Sequence, residues 1–139
     1  MKHVNIMVGR FQPFTKGHLK CVENAYKKFG IPTVVVMIDT PTNKVDKKHP
    51  FSTDIIMPIY KDMLDSNKMI EGIVLSKNAN IVTIGESLWD MGYVIKSWTC
   101  GTDRIEAYSK MSSKYKEEAR LSHDFEMIEI ERSEEDISA

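Results

Sequence analysis

A strand, a glycine-bearing turn and a helix start follow one another near the beginning of the chain, and they constrain the fold more than any other feature. The apolar run from Val4 to Val8 predicts a buried strand, and residues 17–29 carry apolar side chains at helical spacing. Between them, residues 9–18 read Gly-Arg-Phe-Gln-Pro-Phe-Thr-Lys-Gly-His. The free amides of a first helical turn and the positive end of the helix dipole attract anions. The segment therefore predicts a phosphate site.

Predicted strands and helices alternate along the rest of the chain. The strands are 3–8, 33–38, 72–75, 93–100 and 125–130; the helices are 17–29 (with Leu19, Val22, Tyr26 and Phe29 inward), 54–65 and 103–119. Residues 79–91 have helical spacing, although Val82 and Thr83 weaken that reading. Such alternation implies right-handed crossovers and a parallel sheet with helices on both faces. We expect one Rossmann-like α/β domain over residues 1–139, with about five strands and the first strand central.

Composition narrows the functional classes. The 139 residues are 42% hydrophobic, which suffices for one core, and the net charge of −1 gives no global field for nucleic acid. Apolar runs of about six residues fall far short of a membrane span, and no charged-then-apolar leader opens the chain. Cys21 and Cys100 lie far apart and form no metal-type pair. We expect a cytoplasmic protein with free thiols and no metal-ligating set of its own.

The segment at 9–18 carries a family resemblance. Thr15-Lys16-Gly17-His18 resembles the (His/Thr)-x-Gly-His signature of the nucleotidylyltransferase superfamily. The run from Gly9 to Phe14 resembles the nicotinamide mononucleotide adenylyltransferase branch. That branch usually has His where this chain has Thr15, and Thr there resembles the glycerol-phosphate cytidylyltransferase and pantetheine-phosphate adenylyltransferase branches. The resemblance implies catalytic roles for His18 and Thr15, with His18 binding triphosphate oxygens and stabilising the leaving pyrophosphate.

Further segments extend the resemblance. Gly101-Thr102-Asp103-Arg104 resembles the Gly-x-Asp segment that lines the nucleotide in this superfamily. The alternative interpretation is a Gly turn followed by an Asp N-cap. The tail 131–139 ends in Asp136-Ile137-Ser138-Ala139, which resembles the start of an Ile-Ser-x-Thr-x-x-Arg motif. Trp98 reads as a core residue. The implied nucleotide-binding residues are Gly9, Arg10, Phe11, Gly17, Gly101, Asp103 and Ser138, with Lys16, Lys44, Lys47 and Lys48 as phosphate-clamp candidates and Trp89 as a base-stacking candidate.

The implied activity is nucleotidyl transfer. The phosphate of a small molecule similar to nicotinamide mononucleotide attacks the α-phosphorus of ATP and releases pyrophosphate, with Mg²⁺ on the phosphate oxygens, as a step of NAD biosynthesis. One alternative is a cytidylyltransferase that uses CTP. Another is a nucleotide-binding protein with little catalysis. The expected partners are the nucleoside triphosphate and the phosphorylated acceptor, with no nucleic acid and no membrane, and a homo-oligomer stays open.

Overall fold

A computed structural model of the chain describes residues 1–9, 16–38 and 67–130. The described residues form five strands and three helices. They are β1 (Lys2–Gly9), α1 (Lys16–Phe29), β2 (Thr33–Ile38), β3 (Ile70–Ser76), α2 (Ile81–Asp90), β4 (Tyr93–Gly101), α3 (Thr102–Lys114) and β5 (Glu126–Ile130). The helical reading of 79–91 is therefore confirmed. The helix expected over 54–65 lies outside the described residues.

All five strands run parallel in one sheet of order β3-β2-β1-β4-β5. Strand β1 is central, and its Ile6 pairs with Val34 on one side and with Trp98 on the other. The β-branched run of β2 is buried on both faces, as a parallel strand between two neighbours requires. The predicted α/β class, the parallel sheet and the central first strand are confirmed.

The helices lie on opposite faces because right-handed crossovers in opposite directions must do so. Strand β1 leads through α1 to β2 on one side, whereas β3 leads through α2 to β4 on the other side. Each face has its own buried core. The α1-side core contains Met7, Cys21, Val22, Val35, Met37 and Ile70. The α2-side core contains Val4, Ile6, Val34, Val36, Ile81, Ile84, Leu88, Ile95, Trp98, Ala119 and Leu121.

Helix α1 presents a different stripe to the sheet from the one that the sequence indicates. Cys21, Val22 and Ala25 are at most 2% exposed, whereas Tyr26 is 42% exposed. The buried stripe follows Cys21 and Ala25, and Tyr26, one position after Ala25, is rotated about 100° from it toward solvent. The expectation that Tyr26 points inward is therefore wrong.

The amino edge of the sheet is closed by polar contacts. The Glu71 carboxylate on β3 accepts hydrogen bonds from Lys2 Nζ at 2.8 Å and from Tyr93 OH at 2.9 Å. The hydrogen bond from Lys2 lowers the pKa of Glu71 and raises the pKa of Lys2. These contacts join residues of β3, β1 and β4 at one edge.

Helix α2 packs very closely against the turn that follows α3. The sequence predicts a helix to residue 119, but α3 ends at Lys114, and residues 115–120 form turns with Arg120 at φ 55°. A Cβ built on Gly85 would lie 2.1 Å from the carbonyl oxygen of Ala119, itself 1% exposed. A glycine is therefore required at position 85, because a Cβ there would collide with the backbone of Ala119.

We predict that Gly85→Ala lowers the free energy of unfolding by about 3 kcal/mol, because α2 must move away from a backbone that is itself buried. Gly72→Ala in β3 is the matched control, since its Cβ would meet nothing within 4 Å. That change should be neutral or should stabilise by about 0.5–1 kcal/mol. Urea unfolding of both variants decides the point, and equal midpoints would contradict the close packing at Gly85.

Candidate functional site

The order of strands reverses between β1 and β4, and the region between the carboxyl ends of these two strands, flanked by the starts of α1 and α3, is called the crevice below. The chain leaves β1 toward α1 on one face and leaves β4 toward α3 on the other. Ile6 and Trp98 form the last residue pair between the two strands, whereas the strands continue to Gly9 and Gly101. Ligands of open parallel sheets bind at such a switch point.

One wall of the crevice is the start of α1. Gly17 and His18 are buried, and His18 is 2% exposed. Helical periodicity puts His18 on the same face as Cys21 and Val22, which pack against the sheet. The ring therefore lies at the sheet-facing side of the first turn of α1, next to the end of β1.

The opposite wall is the junction of β4 and α3. Gly101 is the N-cap of α3, with φ −77° and ψ 165°, and no side chain caps this helix. Asp103 is the second residue of α3, so the reading of this acid as the N-cap is wrong. Its carboxylate nevertheless lies in the first turn, where the helix dipole favours negative charge. Thr102, Asp103 and Arg104 are all exposed at the carboxyl edge.

A stacked aromatic pair supports this second wall. The rings of Trp98 and Tyr108 lie 4.2 Å apart at an interplanar angle of 18°. Trp98 is fully buried, which confirms its reading as a core residue. Burial raises the pKa of the Tyr108 phenol, while the positive charge of Arg104 opposes this effect. The stack joins α3 rigidly to the end of β4.

Four buried polar side chains lie beneath the crevice on the α1 face, and the sequence reading missed them. Asn5 Oδ1 accepts hydrogen bonds from Ser97 Oγ at 2.8 Å and from Thr99 Oγ1 at 3.1 Å, and Asn5 Nδ2 donates to Thr33 Oγ1 at 3.0 Å. None of the four is more than 3% exposed. The available signal was an Asn in the middle of the apolar run 4–8.

The other predicted site residues divide into two groups. Lys16 is the first residue of α1, but its side chain is outside the described part of the structure. The remaining residues beyond the described ranges are Arg10, Phe11, Thr15, Lys44, Lys47, Lys48 and Ser138. Their predicted roles stay predictions.

The structure does not bring Trp89 to the crevice. Trp89 lies in the last turn of α2, which leads to the start of β4 at the amino edge, and the Arg120 guanidinium lies 4.8 Å from its ring centroid. The helix direction moves Trp89 away from the carboxyl edge, because a helix that connects parallel strands runs back across the sheet. A base-stacking role at the crevice is therefore not supported by its position.

The described residues include no group of three or more His, Cys, Asp or Glu side chains that could hold a metal ion. In the same part of the chain, every helix is too short or too polar to cross a membrane.

A parallel sheet with a crevice at its switch point defines a Rossmann-like domain, and comparisons with known proteins specify it further. The cytidylyltransferase-like family model matches residues 6–72, from β1 into β3. No curated protein matches the sequence. The predicted resemblance to the nucleotidylyltransferase superfamily is confirmed by this match together with the shared fold.

Solved structures share the fold at low identity. A bifunctional NMN adenylyltransferase/ADP ribose pyrophosphatase from Francisella tularensis has a TM-score of 0.59 at 19% identity over 94% of this chain. That enzyme has also been solved with AMP and a manganese ion. A nicotinic acid mononucleotide adenylyltransferase from Plasmodium falciparum, complexed with NaAD, has a TM-score of 0.62 at 17% identity over 99% of this chain. A protein of unknown function from Archaeoglobus fulgidus has a TM-score of 0.62 at 16% identity over 94% of this chain.

The chain differs from these proteins in length. It spans 38% of the Francisella protein, 68% of the Plasmodium protein and 89% of the Archaeoglobus protein. The similarity is therefore one of fold, over part of the Francisella and Plasmodium proteins.

The Cys100 thiol, next to the crevice, is predicted to be unreactive. Burial, followed by the charges of Glu129 and Asp103, raises its pKa to about 12. About one thiol in 10⁴ is then a thiolate at pH 8, and the thiolate is the reactive form. In a Cys21→Ala variant, which leaves Cys100 as the remaining thiol, we expect a disulfide reagent to react at least 100-fold faster after unfolding in guanidinium. Rapid reaction of the folded variant at pH 8 would contradict the raised pKa.

Proposed function

We propose that this protein is an enzyme that transfers the nucleoside monophosphate of ATP to the phosphate of a small molecule similar to nicotinamide mononucleotide. The observation that carries the proposal is the crevice at the β1–β4 switch point, between the helix that bears His18 and the helix start at Gly101–Asp103. The adenylyltransferases of Francisella and Plasmodium that share the fold support an adenylyl donor and a mononucleotide acceptor.

The proposed reaction needs no covalent enzyme intermediate. A phosphate oxygen of the acceptor attacks the α-phosphorus of the triphosphate; the new P–O bond forms as the bond to pyrophosphate breaks. Negative charge then accumulates on the departing pyrophosphate, and fixed donors facing that charge lower the barrier. The buried His18 ring and the first-turn amides of α1 are the donors on one wall of the crevice.

The nucleotide would lie across the crevice with its phosphates toward α1 and its nucleoside toward α3. Asp103 then lies where a ribose hydroxyl can donate to its carboxylate. Mg²⁺ would arrive with the triphosphate as part of the substrate, because Mg²⁺ commonly uses phosphate oxygens and water as most of its ligands. The Francisella structure with AMP and manganese supports divalent-ion use in this fold.

CTP is the second candidate donor. The matching family model is cytidylyltransferase-like, and Thr15 stands where the mononucleotide branch usually has His. A neutral Thr hydroxyl is a weaker hydrogen-bond donor than a charged imidazole. This difference favours, as a third candidate, a protein that binds nucleotide and transfers it slowly.

Pyrophosphate release tests the proposal. The protein is incubated with Mg²⁺, each of the four nucleoside triphosphates and a panel of phosphorylated acceptors that includes nicotinamide and nicotinic acid mononucleotides. We expect the fastest release with ATP and a mononucleotide. Fastest release with CTP would favour the cytidylyl alternative, and nucleotide binding without release would favour the binding protein. Release that needs no acceptor would contradict transfer.

His18→Ala should lower kcat for transfer by roughly 10²–10³-fold, the usual effect of losing one preorganised donor. His3→Ala is the matched control, because His3 is exposed near the amino end of β1. Since His18 is buried, thermal unfolding of both variants must accompany the kinetics, together with His18→Asn, which retains a polar side chain. Near-normal turnover in folded His18 variants would contradict the catalytic role.

Asp103→Asn should raise KM for the nucleotide about tenfold with little change in kcat, because a ribose contact is made equally in the ground state and the transition state. Glu106→Gln is the control on the same helix, where Glu106 forms an exposed ion pair with Lys110 at 3.1 Å. Steady-state kinetics that give equal KM values for both variants would exclude Asp103 from the nucleotide site.

A further inference from the structure

The polar network around Asn5 joins three strands inside an otherwise apolar layer. Asn5 is on β1, Thr33 on β2, and Ser97 and Thr99 on β4. Asn5, Thr33 and Ser97 are 0% exposed and Thr99 is 3% exposed. Apolar side chains would fill this layer without the cost of removing polar groups from water. The hydrogen bonds offset that cost. Because they need a defined direction from donor to acceptor, they also fix the positions of the strands relative to one another, which apolar packing does not.

A β-bulge in β4 makes the network possible. Val4 pairs with Ile95 and Asn5 with Ser97, so Lys96 is the extra residue. Because side chains alternate along a strand, the extra residue brings Ser97 and Thr99 to the face of Asn5. Ile95 and Trp98 consequently share the opposite, α2-side core, although they are three positions apart.

The two threonines of the network occupy different places relative to the crevice. Thr33 is the first residue of β2, at the amino edge of the sheet. Thr99 comes after Trp98, which is in the last residue pair between β4 and β1, and precedes Gly101 by two positions. The Asn5–Thr99 hydrogen bond therefore joins β1 to the residue of β4 that directly follows the final Ile6–Trp98 pair.

We infer that Thr99, held by Asn5, is a positioning residue for the nucleotide crevice. Its hydroxyl fixes the end of β4 against β1, and so sets the distance between the start of α3 and the start of α1. Thr33 Oγ1 accepts a hydrogen bond from Nδ2 of the same carboxamide but supports only the fold. The link to nucleotide binding rests on the proposed function, whereas the positioning of α3 does not.

The test compares Thr99→Val with Thr33→Val. Each change removes one hydroxyl that bonds to Asn5 and preserves the shape of the side chain. Both should lower the midpoint of thermal unfolding, Thr33→Val by more, because it removes the acceptor of Asn5 Nδ2, whereas Asn5 Oδ1 still accepts from Ser97 Oγ in Thr99→Val. Amide hydrogen exchange, measured without nucleotide, should increase at least fivefold at residues 105–108, the first amides of α3 that have helical acceptors, in Thr99→Val and less than twofold in Thr33→Val. Thr99→Ser, which keeps the hydroxyl, should restore most of the protection.

Titration calorimetry with the nucleotide that the wild-type protein prefers gives the second readout. We expect Kd to rise at least fivefold in Thr99→Val and less than twofold in Thr33→Val. Equal exchange at residues 105–108 in the two variants would overturn the inference, as would equal nucleotide affinity. A wild-type protein that binds no nucleotide would overturn the proposed function instead, and the exchange data alone would then decide the positioning role.

Discussion

The central place of β1 in a parallel sheet is the constraint on which the rest of the structure depends. Parallel neighbours on both sides of β1 require crossover connections, and right-handed crossovers in opposite directions lie on opposite faces. Helix α1 therefore lies on one face and α2 and α3 lie on the other. The crevice between the ends of β1 and β4 is a direct result, because the chain leaves these adjacent strands in opposite directions.

The two edges of the sheet differ in how their polar groups are used. At the amino edge, Glu71 is paired with both Lys2 and Tyr93, and its charge is neutralised locally. At the carboxyl edge, the N-terminus of α3 has no side-chain cap, and Thr102, Asp103 and Arg104 are exposed. Mutual pairing of this kind stabilises the amino edge. The first-turn amides of α3, which no side chain caps, lie at the switch point, where open parallel sheets bind anions, and this is the place of the proposed nucleotide site.

The carboxyl end of β4 is held by contacts on both of its faces. On the α2 side, Trp98 stacks on Tyr108 and joins α3 to the strand. On the α1 side, Ser97 and Thr99 bond to Asn5 and join the strand to β1. A single bulge at Lys96 allows both, since it resets the alternation of side chains between Ile95 and Ser97. Fixed positions of the two crevice walls are what the proposed transfer reaction, which has no covalent enzyme intermediate, requires.

The sequence by itself determined the α/β class, the five described strands and the central first strand, because buried parallel strands are apolar runs and their order follows from a few chain-wide rules. It also carries the resemblance to the nucleotidylyltransferase superfamily, in the contiguous residues 9–18 between the first strand and the first helix. The tertiary structure decided which face of α1 is buried, since Tyr26 is excluded only when the helix lies against the sheet. It decided that α3 ends at Lys114, it brought Gly85 against the backbone of Ala119, and it put Trp89 at the amino edge. It alone revealed the partners of Asn5, because they lie 28, 92 and 94 positions away in the sequence and meet only through strand register.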